Sequence, residues 1–250
     1  MAYTRVKTES EIQAIRESGQ MLAKVLSLLN QNIDVGQTPK GLAEIAAKEL
    51  KALGGKPAFY KYQGFPDVLC VCVNDEVVHG IPRDREIEPG DIISCDFGVD
   101  FKGMITDAAF SKLVDSSDGK KQSLLEDTNR ALMSGIDAVK DGCHVGDIGY
   151  AVEQSLHGKS YGIVRDLVGH GVGHDVHEEP NIPNYGSKGE GPMLRAGMTI
   201  AIEPMVTLGS EAVMIDNDGW TVKTRDGSLA AHFEHTVLVT SDGYEILTEL

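Results

Sequence analysis

Two aspartates in one short segment are the first residues whose spacing points to chemistry. Asp96 and Asp107 flank residues 100–103, DFKG, which are typical of a four-residue hairpin turn. Folding about that turn without a bulge predicts that Asp96 lies directly opposite Asp107, with Cβ atoms roughly 5 Å apart. Apolar neighbours indicate a buried hairpin, in which two facing carboxylates repel each other unless a cation intervenes. We favour a bound divalent metal ion; a shared proton or an exposed edge is the alternative.

A run of histidines and glycines, VGHGVGHDVHEEP at residues 168–180, is the second such feature. His170, His174 and His177 are separated by glycines, which let backbone or ligand approach closely. Neutral imidazole is the commonest transition-metal ligand in proteins. Three histidines in this setting favour a site over ordinary core or surface positions. Glu178 and Glu179 could be acids at the start of a helix rather than ligands.

Two glutamates in apolar strands complete the set. Glu203 lies in TIAIEPMV and Glu234 in AHFEHTVLV, where burying an unpaired carboxylate is costly. One imidazole and four carboxylates suit Mn²⁺, Fe²⁺, Co²⁺ or Zn²⁺ and balance the charge of two divalent ions. Two ions about 3.5–4 Å apart can share a water molecule and lower its pKa, so the predicted reaction class is metal-assisted hydrolysis. The candidate ligands are Asp96, Asp107, His170, Glu203 and Glu234.

Capping signals place the helices that support these residues. Thr8 and Glu11 form a capping box before apolar residues at helical spacing. Pro39 opens a second helix after Thr38, and Gly54 ends it. The other predicted segments are two helices at residues 123–140 and 146–156, and a polar loop at 115–121.

Apolar runs predict the strands, and a stretch rich in Gly, Pro and Asn at residues 179–197 predicts a long loop. Mixed helices and strands with antiparallel pairings favour an α+β fold over a doubly wound sheet. The predicted strands are residues 68–73, 91–99, 104–110, 198–206, 212–215, 221–224 and 230–240.

An approximate repeat runs through the chain. Asp96 follows Gly90 by six residues, Glu203 follows Gly197 by six, and the two acids are 107 residues apart. The segments GQTPKGLAEIA and GCHVGDIGYAV repeat with an offset of 106 residues. We therefore expect one domain, residues 1–250, whose halves at about 8–115 and 116–245 face one site.

Charge limits the partners. The formal net charge of −15 disfavours binding to DNA or to a membrane surface, because the field repels phosphate. One short stretch concentrates lysines and is either a solvated helix face or a surface for a transient contact with the ribosome. Its lysines are Lys40, Lys48, Lys51, Lys56 and Lys61. Nothing in the sequence signals a large apolar face, so a monomer is expected.

The cysteines and termini indicate the compartment. Cys70, Cys72, Cys95 and Cys143 form neither a disulfide framework nor a four-cysteine zinc site. The N-terminus lacks the apolar core of a signal peptide, and no run of about 18 apolar residues could span a membrane. The sequence therefore predicts a cytoplasmic protein.

The order Asp, Asp, His, Glu, Glu occurs here with the contexts HGVG, IEP and FEHT, with NDEVVHGIP around His79 and with PGDIISCDFG around Asp96. This combined pattern resembles the type I methionine aminopeptidases over nearly the whole chain, in their short bacterial form. The resemblance implies the pita-bread fold, with pseudo-two-fold related halves around a central antiparallel sheet. It also implies removal of the initiator methionine from nascent polypeptides whose second residue is small, by a water activated by two metal ions.

The resemblance implies a role for each matching residue at the metal ions. Asp96 would chelate, and Asp107 and Glu234 would bridge the two ions. His170 would bind one ion only. Glu203 would bind an ion and act as general base.

The resemblance also implies the contacts with substrate. His79 would lie near the scissile amide and donate to the leaving nitrogen, while His177 would stabilise the oxyanion. Aromatic and thiol groups would surround the methionine side chain, since both make favourable contacts with its sulfur. Ordinary core packing is the alternative for each pocket residue. These residues are Phe59, Tyr62, Phe65, Cys70 and Trp220.

Three residues depart from the family pattern: Gln63, Thr106 and His174. None is a predicted ligand, so the reaction class is unaffected. Two other functions remain open: an X-Pro peptidase of the same fold, and a non-catalytic binding module on this scaffold. X-Pro peptidases typically carry an added N-terminal domain, and binding modules usually lose metal ligands.

Overall fold

The computed structural model describes residues 2, 3 and 5–249. The helices are α1 Glu9–Asn32, α2 Pro39–Leu53, α3 Gly119–Asp137 and α4 Val145–Ser155. The strands are β1 Ala2–Tyr3, β2 Lys56–Pro57, β3 Cys70–Val73, β4 Glu76–Val78, β5 Ile92–Phe101, β6 Met104–Leu113, β7 Gly162–Ile163, β8 Gly169–Gly171, β9 Glu178–Ile182, β10 Thr199–Ile202, β11 Met205–Thr207, β12 Val213–Ile215, β13 Val222–Thr224, β14 Ala230–His232, β15 His235–Val239 and β16 Tyr244–Ile246. None of these helices is both long and apolar enough to cross a membrane.

The predicted ends of the first two helices are confirmed. The Thr8 N–H donates to Glu11 and the Glu11 N–H donates to Thr8 Oγ1, which closes the capping box of α1. Thr38 caps α2, and Gly54 ends it in the left-handed region at φ 87°. Helix α3 begins four residues before the predicted start, because Asp118 accepts the N–H groups of Lys120 and Lys121. The polar loop predicted at 115–121 is correspondingly shorter.

The predicted register of the β5–β6 hairpin is wrong. Asp96 pairs with Ala109 and Asp107 pairs with Gly98, so the two aspartates are diagonal neighbours on one face. The turn is the two-residue Lys102–Gly103 loop, with φ of 56° and 79°. Two positive φ angles define a type I′ turn, which moves the partner of Asp96 two residues along β6, from the predicted Asp107 to Ala109.

Two long predicted strands are interrupted at the predicted glutamate ligands. The strand expected at 198–206 divides into β10 and β11 at Glu203 and Pro204. The strand expected at 230–240 divides into β14 and β15 at Phe233 and Glu234. Pro204 lacks the N–H that a continuous ladder needs.

The loop predicted at residues 179–197 begins later than expected, and the helix start considered at Glu178 and Glu179 is wrong. Glu178 and Glu179 begin strand β9 and not a helix, and β9 takes the first residues of the expected loop. Strand β9 pairs antiparallel with β8, the strand that carries His170.

Two apolar cores support the sheets. In the N-terminal core, α1 and α2 cover β3, β5 and β6, with Leu22, Leu42 and Phe97 fully buried. In the C-terminal core, α3 and α4 cover β9, β10 and β15, with Leu132 and Ile200 buried. Helical apolar spacing on one side of each helix produces this layering.

The two cores meet at a backbone bridge between Ala109 of β6 and Glu234. The Glu234 N–H donates to the Ala109 carbonyl at 2.9 Å, and the Ala109 N–H donates back at 3.3 Å. Among the described strands, every pairing is antiparallel except that of β1 with β9. The predicted α+β class with antiparallel sheets is confirmed, and the bridge places Glu234 beside Asp107.

Candidate metal centre and active site

Asp96 and Asp107 project from the hairpin into the same buried space. Their residues are 9% and 4% exposed, and Oδ1 of each has no hydrogen-bond partner among the described residues. Burial raises the pKa of Asp107 to about 7, and burial together with the neighbouring charges of Asp107 and Glu203 raises the pKa of Asp96 well above its usual range. Both carboxyl groups would therefore hold a proton more readily than in water unless a cation replaces it.

Glu203 and Glu234 reach this space from the two strand breaks. The Glu203 carbonyl accepts a hydrogen bond of 3.0 Å from the Asn184 side chain, which satisfies backbone that has left the ladder. Glu234 is 2% exposed, and its Oε1 is unpartnered within the described part of the chain. Burial, followed by the charge of Asp107, raises the pKa of both glutamates well above the ordinary value.

His170 presents Nε2 to the carboxylates. Its Nδ1 lies 2.9 Å from the Gly171 carbonyl, which can only accept, so Nδ1 carries the proton and the lone pair is on Nε2. Nε2 lies 3.5 Å from Glu203 Oε1. Burial, then His177, lowers the pKa of His170 to about 3, which keeps the imidazole in the neutral form that binds metals.

These donors fit a divalent cation. One potential ligand atom each from Asp107, His170 and Glu234 lies within 4.8 Å of the others. In residues 5–249, none of the four carboxylates has a Lys or Arg salt-bridge partner; the charged-group partners of Glu203 and Glu234 there are histidines. Buried carboxylates with unpartnered oxygens need a counter-charge, and a metal ion supplies it.

An apolar pocket adjoins the carboxylates. Phe65 packs edge-to-face on Trp220 with ring centroids 5.4 Å apart. Cys70 of β3 pairs in register with Asp96, so the apolar wall begins directly beside the acids. Phe59 and Phe65 are 8% and 4% exposed, and the cavity has a volume of about 110 Å³. A concave, mostly apolar space beside a few polar groups is typical of a ligand-binding site.

His79 and His177 line the pocket between its apolar and acidic ends. His79 has a φ of 58°, an unusual conformation for a residue other than glycine that often accompanies functional sites. Burial, then His177, lowers the pKa of His79 to about 4. His177 Nδ1 lies 3.2 Å from the Tyr62 hydroxyl, and its ring centroid is 4.3 Å from that of His170.

Every residue that the sequence assigned to the site lines this one pocket. Sequence reasoning missed the wall residues Val78 and Val176, and it treated Gln63 only as a departure although it lines the pocket. The other departures lie elsewhere. Thr106 Oγ1 lies 3.0 Å from Ser18 Oγ of α1. His174 contacts Glu11 at 2.8 Å.

His232 is a further residue that sequence reasoning missed. Its Nε2 lies 3.6 Å from Glu203 Oε2 and 3.9 Å from Glu234 Oε2, and the residue is 2% exposed. A signal was available, because a residue two before Glu234 in an extended segment projects to the same face.

The geometry agrees with comparisons to known proteins. Residues 13–241 match metallopeptidase family M24. A methionine aminopeptidase from Aquifex aeolicus is 43% identical, with 97% of this chain and 98% of that protein covered. Methionine aminopeptidase 1 from Bacillus subtilis is 41% identical, with 98% of each chain covered.

Solved structures confirm the pita-bread prediction. The crystal structure of a methionine aminopeptidase from Thermotoga maritima superposes with a TM-score of 0.97 at 41% identity, covering 99% of this chain and 100% of that one. The prolidase from Pyrococcus furiosus shares the fold with a TM-score of 0.79, at 23% identity, and this chain covers 66% of it. By sequence and by structure, the chain belongs to metallopeptidase family M24 and, within it, to the methionine aminopeptidases.

Proposed function

We propose that this protein removes the initiator methionine from new polypeptides whose second residue is small. The observation that carries the proposal is the single pocket, in which an apolar, sulfur-compatible wall meets four carboxylates and an imidazole. Residues 1–250 act as one catalytic domain, and the halves at about 8–115 and 116–245 both contribute ligands. The proposed substrate places the enzyme where polypeptides are made, in the cytoplasm.

Five residues would hold two divalent ions. Asp107 and Glu234 would be shared by both ions, Asp96 would bind one, and His170 and Glu203 would bind the other. The donor set accepts Mn²⁺, Fe²⁺, Co²⁺ or Zn²⁺. When bound, the ions lower the pKa of an attacking water molecule and polarise the scissile carbonyl.

The chain's own groups move the protons. The Glu203 carboxylate accepts a proton from the attacking water and passes it to the leaving nitrogen. His79 donates a hydrogen bond near the scissile amide. If the Tyr62 hydroxyl donates to His177 Nδ1, the ring proton is on Nε2, which can then donate to the oxyanion.

The methionine side chain would occupy the apolar end. The Phe65–Trp220 pair and the Cys70 thiol surround its thioether, and Phe59 and Tyr62 close the sides. Each contact between the thioether sulfur and an aromatic ring contributes about 0.3–1.5 kcal/mol.

The first test is peptide hydrolysis. Metal-free protein is assayed on Met-Ala-Ser and then with added Mn²⁺ or Co²⁺, beside Glu203→Ala and the exposed control Glu211→Ala. We expect methionine release that requires metal, is abolished by Glu203→Ala and is retained by Glu211→Ala. Cleavage of an X-Pro dipeptide instead would favour the X-Pro peptidase function. No cleavage of either substrate by folded, metal-loaded protein would favour a binding module.

The lysine-rich stretch would make a transient contact with the ribosome. All five lysines are exposed. On α2, Glu44 lies between Lys40 and Lys48 at helical spacing, so the surface there also contains negative charge. Reversing the charge of Lys48, Lys51 and Lys56 should reduce co-sedimentation with ribosomes while leaving peptide hydrolysis intact. Unchanged co-sedimentation would leave a solvated helix face as the interpretation.

The protein is proposed to act as a monomer. The large apolar side chains that are exposed among the described residues are few, and they belong to separate segments of the chain: Val6, Val35, Tyr60, Met193, Met214 and Ile215. Sedimentation equilibrium should give the mass of a single chain, 26.9 kDa.

A further inference from the structure

His232 ends strand β14 and points its ring into the metal centre. Its backbone is fixed, because the His232 N–H donates to Ser111 Oγ at 2.9 Å and Ser111 Oγ donates to the His232 carbonyl at 2.9 Å. The ring is buried, yet Nε2 has no hydrogen-bond partner within the described residues. A buried, unpartnered ring nitrogen in a native core calls for an explanation.

The distances around Nε2 match shared coordination better than hydrogen bonding. Nε2 lies 3.6 Å from Glu203 Oε2 and 3.9 Å from Glu234 Oε2, beyond ordinary hydrogen-bond length. Metal–ligand bonds of about 2.0–2.2 Å place two ligand atoms of one ion at most about 4.4 Å apart. His170 Nε2 lies at a comparable 3.5 Å from the other oxygen of Glu203. The Glu203 carboxylate thus has an imidazole nitrogen facing each oxygen.

We propose that His232 is an additional protein ligand of this metal centre, binding through Nε2 at the side of Glu203 opposite His170. The centre would then have two imidazoles and four carboxylates. This inference rests on the metal centre proposed above. Two other roles for His232 fit the observations less well. A histidine that only packs in the core would have Nε2 hydrogen-bonded to a protein group. A histidine that only orients a carboxylate would have Nε2 within hydrogen-bond distance of a carboxylate oxygen.

The test counts imidazole ligands in the Co²⁺-loaded protein. A histidine that binds through Nε2 retains an Nδ1–H, and Co²⁺ shifts this proton far downfield in the ¹H NMR spectrum, where it disappears in D₂O. We expect two such resonances in the wild-type protein and one in His232→Gln. His235→Gln, which removes a half-buried ring bonded to Thr248, should retain two.

Co²⁺ titration by calorimetry gives a second readout. Removing a ligand should weaken binding at one site by roughly 10–100-fold or more, since even outer partners of ligands have effects of that size. His232→Gln should show this loss, whereas His235→Gln should not.

The outcomes are distinct. One shifted imidazole proton in wild type overturns the inference, even if His232→Gln weakens binding, because the effect would then pass through a hydrogen bond. If the spectrum of His232→Gln still shows two shifted protons, the second ligand is another histidine, and the inference is overturned as well. Absence of Co²⁺ binding in wild type would overturn the proposed metal centre itself. A wild-type spectrum with one shifted proton overturns the inference without any variant, so poor folding of His232→Gln would not leave the inference untested.

Discussion

At the scale of single residues, the site depends on charge that the fold buries without a cationic side chain. Asp96, Asp107 and Glu234 each have an unpartnered oxygen, and burial raises the pKa of each. Burying such groups without counter-charge costs several kcal/mol per ion. The metal-free protein is therefore expected to carry strain in this centre that metal binding relieves.

Trp220 tests the apolar end of the pocket. Its position is set by Asp218, which accepts the N–H groups of Trp220 and Thr221 at 2.9 Å each. Trp220→Ala removes the edge-to-face contact with Phe65, worth about 0.5–1.5 kcal/mol. We expect kcat/KM for Met-Ala-Ser to fall about tenfold, mainly through KM, which corresponds to about 1.4 kcal/mol. Steady-state kinetics measures this.

A matched variant distinguishes pocket from surface. Tyr60→Ala removes an aromatic ring that follows Phe59 along the chain, is 49% exposed and is absent from the residues that line the pocket. This variant should keep kcat/KM within twofold of the wild-type value, which corresponds to a change of about 0.4 kcal/mol or less in transition-state stabilisation. Equal losses in the two variants would mean that Trp220 does not act through the pocket.

At the scale of elements, the capping box at the N-terminus of α1 predicts that the stability of the protein depends on pH. The hydrogen bond from the Thr8 backbone, then that from His174, lowers the pKa of Glu11 from 4.5 to about 2. Because the folded-state pKa is depressed, Glu11 stabilises the protein above about pH 4.5, and this contribution is lost as pH falls towards 2.

Glu11→Gln should lower Tm at pH 7 by about 2–4 °C, for a cap worth about 1 kcal/mol. The difference in Tm between Glu11→Gln and the wild type should shrink steadily as the pH falls below 4.5. Thermal unfolding followed by circular dichroism measures it, with Glu9→Gln as a control in the same helical turn. A difference that stays constant with pH would show that ionised Glu11 is not the stabilising form.

A buried ion pair holds the loop that carries His177. Lys7 Nζ lies 3.0 Å from Glu178 Oε2, and the two side chains are 0% and 1% exposed. Glu178 Oε1 also accepts the N–H of His174 at 2.7 Å, so the pair links the N-terminal segment to residues 173–178. Removing one partner of a buried pair leaves an uncompensated charge.

Lys7→Met should therefore destabilise the protein by about 3–5 kcal/mol and lower kcat by displacing His177. The double variant Lys7→Met/Glu178→Gln should recover part of the stability, because no buried charge is left unpaired. Urea unfolding measures both. The control is Lys40→Met, which breaks an exposed pair with Asp84 and should cost less than about 1 kcal/mol. A similarly small loss for Lys7→Met would contradict the assigned role.

At the scale of the whole molecule, the metal centre joins two separately packed cores. Asp96 and Asp107 extend from the sheet of the N-terminal core, whereas His170, Glu203 and Glu234 come from strands of the C-terminal core or from their breaks. The Ala109–Glu234 bridge is a direct backbone link between the two sets at the site. An ion bound by both sets should therefore stabilise the native arrangement as a whole.

A metal concentration of 100 times the Kd should raise the free energy of unfolding by about 2.7 kcal/mol, which corresponds to an increase of roughly 5–10 °C in Tm. Differential scanning calorimetry with EDTA and with Mn²⁺ measures the shift. Asp107→Asn should unfold at or above the wild-type Tm in EDTA, because one repelling carboxylate is gone, and should lose the shift with Mn²⁺. A wild-type Tm that is insensitive to metal would contradict metal binding at this centre.

The sequence alone was sufficient for features that depend on local physics. The capping box at Thr8 and Glu11, the left-handed end of α2 at Gly54 and the α+β class follow from short-range hydrogen bonding and apolar periodicity. The candidate ligands were also identifiable, because carboxylates and imidazoles among apolar residues and glycines are costly without a partner. The family followed from the combination of those motifs.

Only the tertiary structure decided which of these groups meet, and how. The register of Asp96 and Asp107 depended on a turn in which Lys102 adopts positive φ, which residue type does not reveal. The strand break at Glu234 accompanies its pairing with the distant Ala109, and the approach of His232 to Glu203 and Glu234 likewise joins segments that are separate along the chain. Periodicity reports which face of a strand a residue occupies, but long-range packing determines what lies opposite that face.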